Sequence, residues 1–88
     1  MANISAQYTA QKTERTVKQT LKPGIYQHYK GQQYRVFHTA THSETQECMV
    51  VYQTLYGDFD FWVRPFSMFV ENITRDGIEI PRFNYVGS

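Results

Sequence analysis

Cysteine, proline, net charge and long apolar runs are all scarce in this chain, and each scarcity excludes something. Among its 88 residues there is a single cysteine, Cys48. An internal disulfide and a cysteine-rich zinc site are therefore excluded, and the pattern agrees with a reducing compartment. No apolar run is long enough to cross a bilayer, and the opening residues Met1, Ala2, Asn3 and Ile4 lack the basic start and apolar stretch of a secretory signal. The reading is a cytoplasmic protein with no membrane partner. A chain of this length is one domain, near the size at which a single core is marginal.

The net charge of +1 conceals an asymmetry. Residues 1–22 carry Lys12, Arg15, Lys18 and Lys22 against Glu14 alone. Beyond them Lys30, Arg35, Arg64, Arg75 and Arg82 face Glu44, Glu47, Asp58, Asp60, Glu71, Asp76 and Glu79. A basic leader precedes a mildly acidic body, which argues against a dedicated nucleic-acid platform on the folded face. The leader, residues 1–21, has only Ile4, Tyr8 and Val17 as sizeable apolar anchors before Leu21, so it reads as flexible or weakly helical. The body is expected over residues 22–84, with residues 85–88 fraying.

What the chain does have is aromatic content, concentrated in residues 55–69, LYGDFDFWVRPFSMF, which hold the sole Trp. Phe59, Phe61 and Val63 alternate with Asp58, Asp60, Trp62 and Arg64, so the two sets occupy opposite faces of a strand. The first set is expected to be core and the second surface. Pro65 ends that strand, and Phe66, Met68 and Phe69 fit one helical turn dropping onto the sheet.

Turn chemistry marks the remaining strands. Lys22-Pro23-Gly24 opens the body, and Lys30-Gly31 supplies a tight hairpin between a strand from Gly24 and a second over residues 33–41. In that second strand Val36 and Ala40 fall on one parity and Phe37 on the other, the pattern of a bent or bulged strand. Ser43, Glu44, Thr45 and Gln46 turn into a third strand over residues 47–56. Asp76-Gly77 between alternating apolar residues is a strong hairpin signal and pairs Ile73 with Ile80. Five or six short strands, tight turns and one helical turn predict an all-β fold, a small SH3-like antiparallel barrel.

In order, KPGIYQHYKG, YRV, HSET, VVYQTLYG, WVRPFSMF and DGIEIPRF run through the body. This series resembles the bacterial domain-of-unknown-function family sixteen-fifty-three, DUF1653. The resemblance covers nearly the whole body and implies an SH3-like barrel in a bacterial cytoplasmic protein, with no established activity. Cys48 and the Asp58-Phe59-Asp60 segment look peculiar to this member.

No catalytic constellation is present in the pattern. Cys48 lies at the start of a strand with no glycine-rich elbow or helix N-terminus to activate it, and reads as a small buried side chain. His38 and His42 would stand about 13 Å apart on an extended strand, whereas zinc binds its ligands at about 2 Å. A metal or metabolite site would instead need His28, His42 and Glu44. No cofactor is implied.

The more informative group is aromatic. Tyr26, Tyr29, Tyr34, Tyr52, Tyr56 and Trp62 have apolar bodies, and all but the indole end in a hydroxyl. Such side chains favour interfaces, and a small barrel cannot bury them all. The leading expectation is a binding module that engages a protein or peptide through Tyr26, His28, Tyr29, Tyr52, Trp62 and Arg64, the last clamping an acidic group. A second reading is a nucleic-acid accessory domain using the leader with Lys30 and Arg35, which pair basic with aromatic groups. The sequence leaves the oligomeric state open.

Overall fold

The computed structural model describes residues 19–88. The leader reading falls almost wholly on residues 1–18, which lie outside the described residues. Seven strands and one helical turn follow one another: β1 (Gly24–His28), β2 (Gln33–Thr41), β3 (Cys48–Thr54), β4 (Phe61–Pro65), α1 (Phe66–Phe69), β5 (Asn72–Arg75), β6 (Ile78–Pro81) and β7 (Phe83–Gly87). The fold is all-β, as the turn spacing predicts. Every pairing is antiparallel.

The turns form where the sequence places them. Asp76 and Gly77 take positive φ, 53° and 76°, as a two-residue primed turn requires, and set Ile73 opposite Ile80. Gly31, at φ 108°, closes the β1–β2 turn through its N–H to the His28 carbonyl at 2.7 Å. In β2 the register shifts between Val36 and His38, so Phe37 is the extra residue of a bulge. The bulge explains the mixed parity of that strand, because it swaps which residues face inward.

Closure differs from the expected barrel. Five strands form one sheet in the order β4-β3-β2-β1-β7, and β5-β6 stand apart as a two-stranded sheet. The ladder is open, with β4 and β7 at its edges. In a flat sheet those edges would be about 19 Å apart, yet the Arg64 guanidinium of β4 lies 5.5 Å from the Phe83 ring of β7. The sheet is therefore strongly curled, and side chains rather than hydrogen bonds span its gap.

Those side chains make the core. Tyr26, Tyr34, Val36, Val50, Tyr52, Phe69 and Phe83 are buried, with Leu21, Tyr56, Phe66 and Tyr85 packed against them. Phe69, delivered by α1, stacks on Phe83 at 4.1 Å between ring centres and 2° between planes. Tyr26 and Tyr52 meet Phe69 edge-on at 5.6 and 5.3 Å. Met68, expected to drop onto the sheet with Phe69, is half exposed instead. Pro65 starts the turn with φ −54°, which its ring favours.

Two boundary expectations change. Residues 85–87 belong to β7, which runs to Gly87 along β1 and seats Phe83 and Tyr85 inward. The body also begins before Lys22: Leu21 packs on the core, and Thr39 donates to the Gln19 carbonyl at 3.4 Å. A tight backbone approach joins the first and last strands. A Cβ on Gly24 would lie 2.6 Å from the Gly87 carbonyl oxygen.

Candidate functional site: the β4 edge and the aromatic rim

The two faces of β4 are the reverse of the sequence expectation. Phe61 and Val63 point outward and are 68 % and 61 % exposed, and Phe59 is exposed too. Trp62 and Arg64 share the inner face with Tyr34, Tyr52 and Phe83. Period two fixes which residues travel together, and the core side is chosen by β3, where Val50, Tyr52 and Thr54 are buried opposite Arg64, Trp62 and Asp60.

Tyr26 and Tyr52 therefore leave the proposed contact surface. They are 6 % and 2 % exposed, and they serve as core rings with their hydroxyls satisfied at the rim. Tyr26 donates to the Lys22 carbonyl at 2.7 Å. The Tyr34 and Tyr56 hydroxyls bond each other at 2.8 Å. Burial and that bond push the Tyr34 phenol above its ordinary value. An aromatic core of this kind is tolerated because each polar tip has a partner.

Trp62 remains 41 % exposed, with its ring 6.1 Å from both Tyr34 and Tyr52. Arg64 is partly buried and held at two points. Its Nε donates to the Tyr52 hydroxyl at 3.2 Å, and its guanidinium lies over Phe83. No ion pair joins Arg64 to Asp58, Asp60 or Glu71 among the described residues; Glu71 pairs with Arg82 at 3.2 Å. The two η nitrogens of Arg64 are thus oriented without a carboxylate, the condition for receiving one from outside.

Among the described residues the edge of β4 is open as well. Thr54 N–H donates to the Asp60 carbonyl at 2.9 Å, which makes that pair a hydrogen-bonded one. Alternation then turns the Trp62 and Arg64 backbones toward β3, while the N–H and C=O groups of Phe61 and Val63 face away from the sheet. Phe37, in its bulge, stacks beside Phe61 at 5.6 Å and widens the apolar strip on the outer face. Sequence reasoning missed Phe61 and Val63 as surface residues, because the more apolar of the two alternating sets read as core.

His28 and Tyr29 lie at a second place. The His28 ring meets Phe83 edge-on at 5.0 Å and Tyr29 at 4.5 Å, and its Nδ1 accepts the Lys30 N–H at 3.1 Å. Burial, then the charges of Arg82, Arg64 and Lys30, lower its pKa below 6.5. Beside it a cavity of about 400 Å³ is lined by Gln27, His28, Tyr29, Ile80, Pro81 and Asn84. Arg82, not singled out from sequence, keeps a buried Nε with no hydrogen-bond partner among the described residues.

The His28, His42 and Glu44 grouping does not assemble. His28 ends β1 beside the start of β2, whereas His42 follows the far end of β2, about 30 Å along an extended strand. There its Nδ1 accepts the Glu44 and Thr45 N–H groups at 3.1 and 3.3 Å and shapes the β2–β3 turn. Glu44 takes the Ser43 hydroxyl at 3.2 Å. Among the described residues no cluster of three His, Cys, Asp or Glu side chains could hold a metal ion. Cys48 is partly buried, and its thiol points to the Gln19 carbonyl at 4.0 Å. Of the nucleic-acid candidates, Lys30 sits over Tyr29 at 5.8 Å and Arg35 is exposed on β2.

Comparison with known proteins agrees with the sequence resemblance. The family model described as a protein of unknown function, DUF1653, matches residues 24–85. The chain belongs to that DUF1653 family. A crystal structure of a DUF1653 protein from Bordetella bronchiseptica is similar at a TM-score of 0.70 and 36% identity, covering 76% of this chain and 88% of that one. A search of curated proteins finds no match. Among the described residues no helix is long and apolar enough to cross a membrane.

Proposed function

We propose that this DUF1653 domain is a non-catalytic binding module that engages a protein partner through β4. An extended segment lies along the free strand edge, and Trp62 and Arg64 contact its side chains. One observation carries the reading: among the described residues β4 is an unpaired sheet edge, with exposed apolar side chains on its outer face and, on its inner face, an arginine already fixed by Tyr52 and Phe83. Backbone hydrogen bonds would supply affinity, and alternate side chains of the segment would supply selectivity. An acidic residue reaching Arg64 is the expected preference. The test is selection from a library of displayed extended peptides. Selected sequences should carry an acidic residue, lose affinity on Arg64→Ala and Trp62→Ala, and fail when the peptide amides facing β4 are N-methylated. Binding indifferent to all three changes would overturn the proposal, provided both variants melt cooperatively.

A second reading rests on the cavity beside His28. Its volume suits a small ligand, and Arg82, Arg64 and Lys30 all raise the local potential, so a small carboxylate or phosphate compound is the class it would take. A thermal-shift screen against such anions tests it, with His28→Gln removing any response.

A further inference from the structure

We infer that the partner fitted by the β4 edge is a second copy of this chain, paired antiparallel β4 to β4 about a two-fold axis at Trp62. This rests on the reading of β4 as a docking edge and names its occupant. An isologous interface needs a self-complementary patch, and β4 meets that condition in one register. Only Phe61 and Val63 aim N–H and C=O groups outward, so a hydrogen-bonded contact must join odd-numbered residues. Centring on Val63 would set Phe61 against Pro65, which has no N–H. Centring on Phe61 would recruit Phe59, whose φ of 55° is not extended.

Centring on Trp62 sets Phe61 opposite Val63 of the other copy and Val63 opposite Phe61. All four outward N–H groups then meet carbonyls. On the outer face the exposed Phe61 and Val63 side chains, 68 % and 61 % open in the single chain, cover each other. On the inner face the same register brings Asp60 opposite Arg64 of the second copy, twice, by symmetry. The arginine that lacks a carboxylate among the described residues of its own chain receives one from its twin. Pro65 and the short length of β4 restrict pairing to this one register, and within it Phe61, Trp62 and Val63 include no lysine or proline and the β3–β4 register shows no bulge. A contact this short lies at the low end of specific interfaces, below about 1,200 Å². The dimer is therefore concentration-dependent.

Sedimentation equilibrium of the full chain between roughly 1 μM and 1 mM should show mass rising from monomer to dimer. Trp62 emission should shift over the same range, because the two indoles come side by side at the axis. Asp60→Arg alone and Arg64→Asp alone place like charges opposite each other, and each should remain monomeric where the wild type is dimeric. An equal mixture of the two restores both pairs and should regain the dimer mass. Val63→Lys, at a side chain open to solvent, should give a folded monomer and separates loss of pairing from loss of fold. A wild type that stays monomeric throughout overturns the inference, as does a dimer that neither charge variant disturbs. If the monomeric wild type still binds selected peptides in an Arg64-dependent way, self-pairing alone has failed. If that binding is also absent, the docking edge itself is refuted.

Discussion

Replacing Phe69 by alanine should remove most of the stability of this domain. The ring is 1 % exposed, stacked on Phe83 at 4.1 Å and flanked edge-on by Tyr26 and Tyr52. A buried aromatic removes about 150–250 Å² from water, and at about 25 cal/mol per Å² that is roughly 4–6 kcal/mol. Alanine keeps a small part, so the expected cost is about 3–5 kcal/mol, in line with buried Phe→Ala changes generally. A body of this size has about 3–10 kcal/mol in total. Phe69→Ala should then be largely unfolded in dilute buffer or unfold at the first additions of urea. Phe69→Leu retains apolar volume and loses the ring stack, about 1 kcal/mol, which moves the urea midpoint down by about 0.5–1 M. Far-UV circular dichroism and Trp62 emission should report coincident transitions. Met68→Ala, on the same helical turn but half exposed, is the control and should change stability by less than about 0.5 kcal/mol. Phe69→Ala with a midpoint equal to wild type would refute the claim that α1 seals the core.

Three further outcomes follow from the geometry. Gly24→Ala should cost more than about 1 kcal/mol, read by urea titration, because its Cβ would meet the Gly87 carbonyl at 2.6 Å and its φ is 142°. Tyr56→Phe leaves the Tyr34 hydroxyl without its 2.8 Å partner and should cost about 1–2 kcal/mol; adding Tyr34→Phe should then cost much less than it does alone, a coupling a double-mutant cycle measures. His28 binds a proton less readily folded than unfolded, so its stabilising contribution is full above the ordinary value of 6.5 and is lost as pH falls through the lower folded value. Proton NMR should find its titration below 6.5, and His28→Gln should flatten that part of the stability profile.

Much of the fold is legible in short-range chemistry. Asp76-Gly77 names its own turn type, and the mixed parity around Phe37 announces the bulge before any strand is paired. The β4 faces were not legible, because alternation groups Phe61 with Val63 and Trp62 with Arg64 but carries no label for inside. Hydrophobicity pointed the wrong way: this core prefers large rings with satisfied tips, and it admits a guanidinium over Phe83 while leaving Phe61 in solvent. β7 was missed because Asn84, Gly87 and Ser88 read as a loop, although Phe83 and Tyr85 alternate inward as a strand requires. The open ladder depends on side chains far apart in sequence, Arg64 and Phe83 among them, and no local pattern encodes their approach.

The pairing of β1 with β7 brings Ile25 opposite Gly87, so the first and last strands lie side by side, about 5 Å apart. A few glycines leading from Gly87 to the residues just ahead of Gly24 would therefore have little distance to span. With new ends cut in the exposed turn at residues 43–46, such a rearranged chain would order its strands differently while keeping every strand pairing, at the cost of the hydrogen bonds inside that turn.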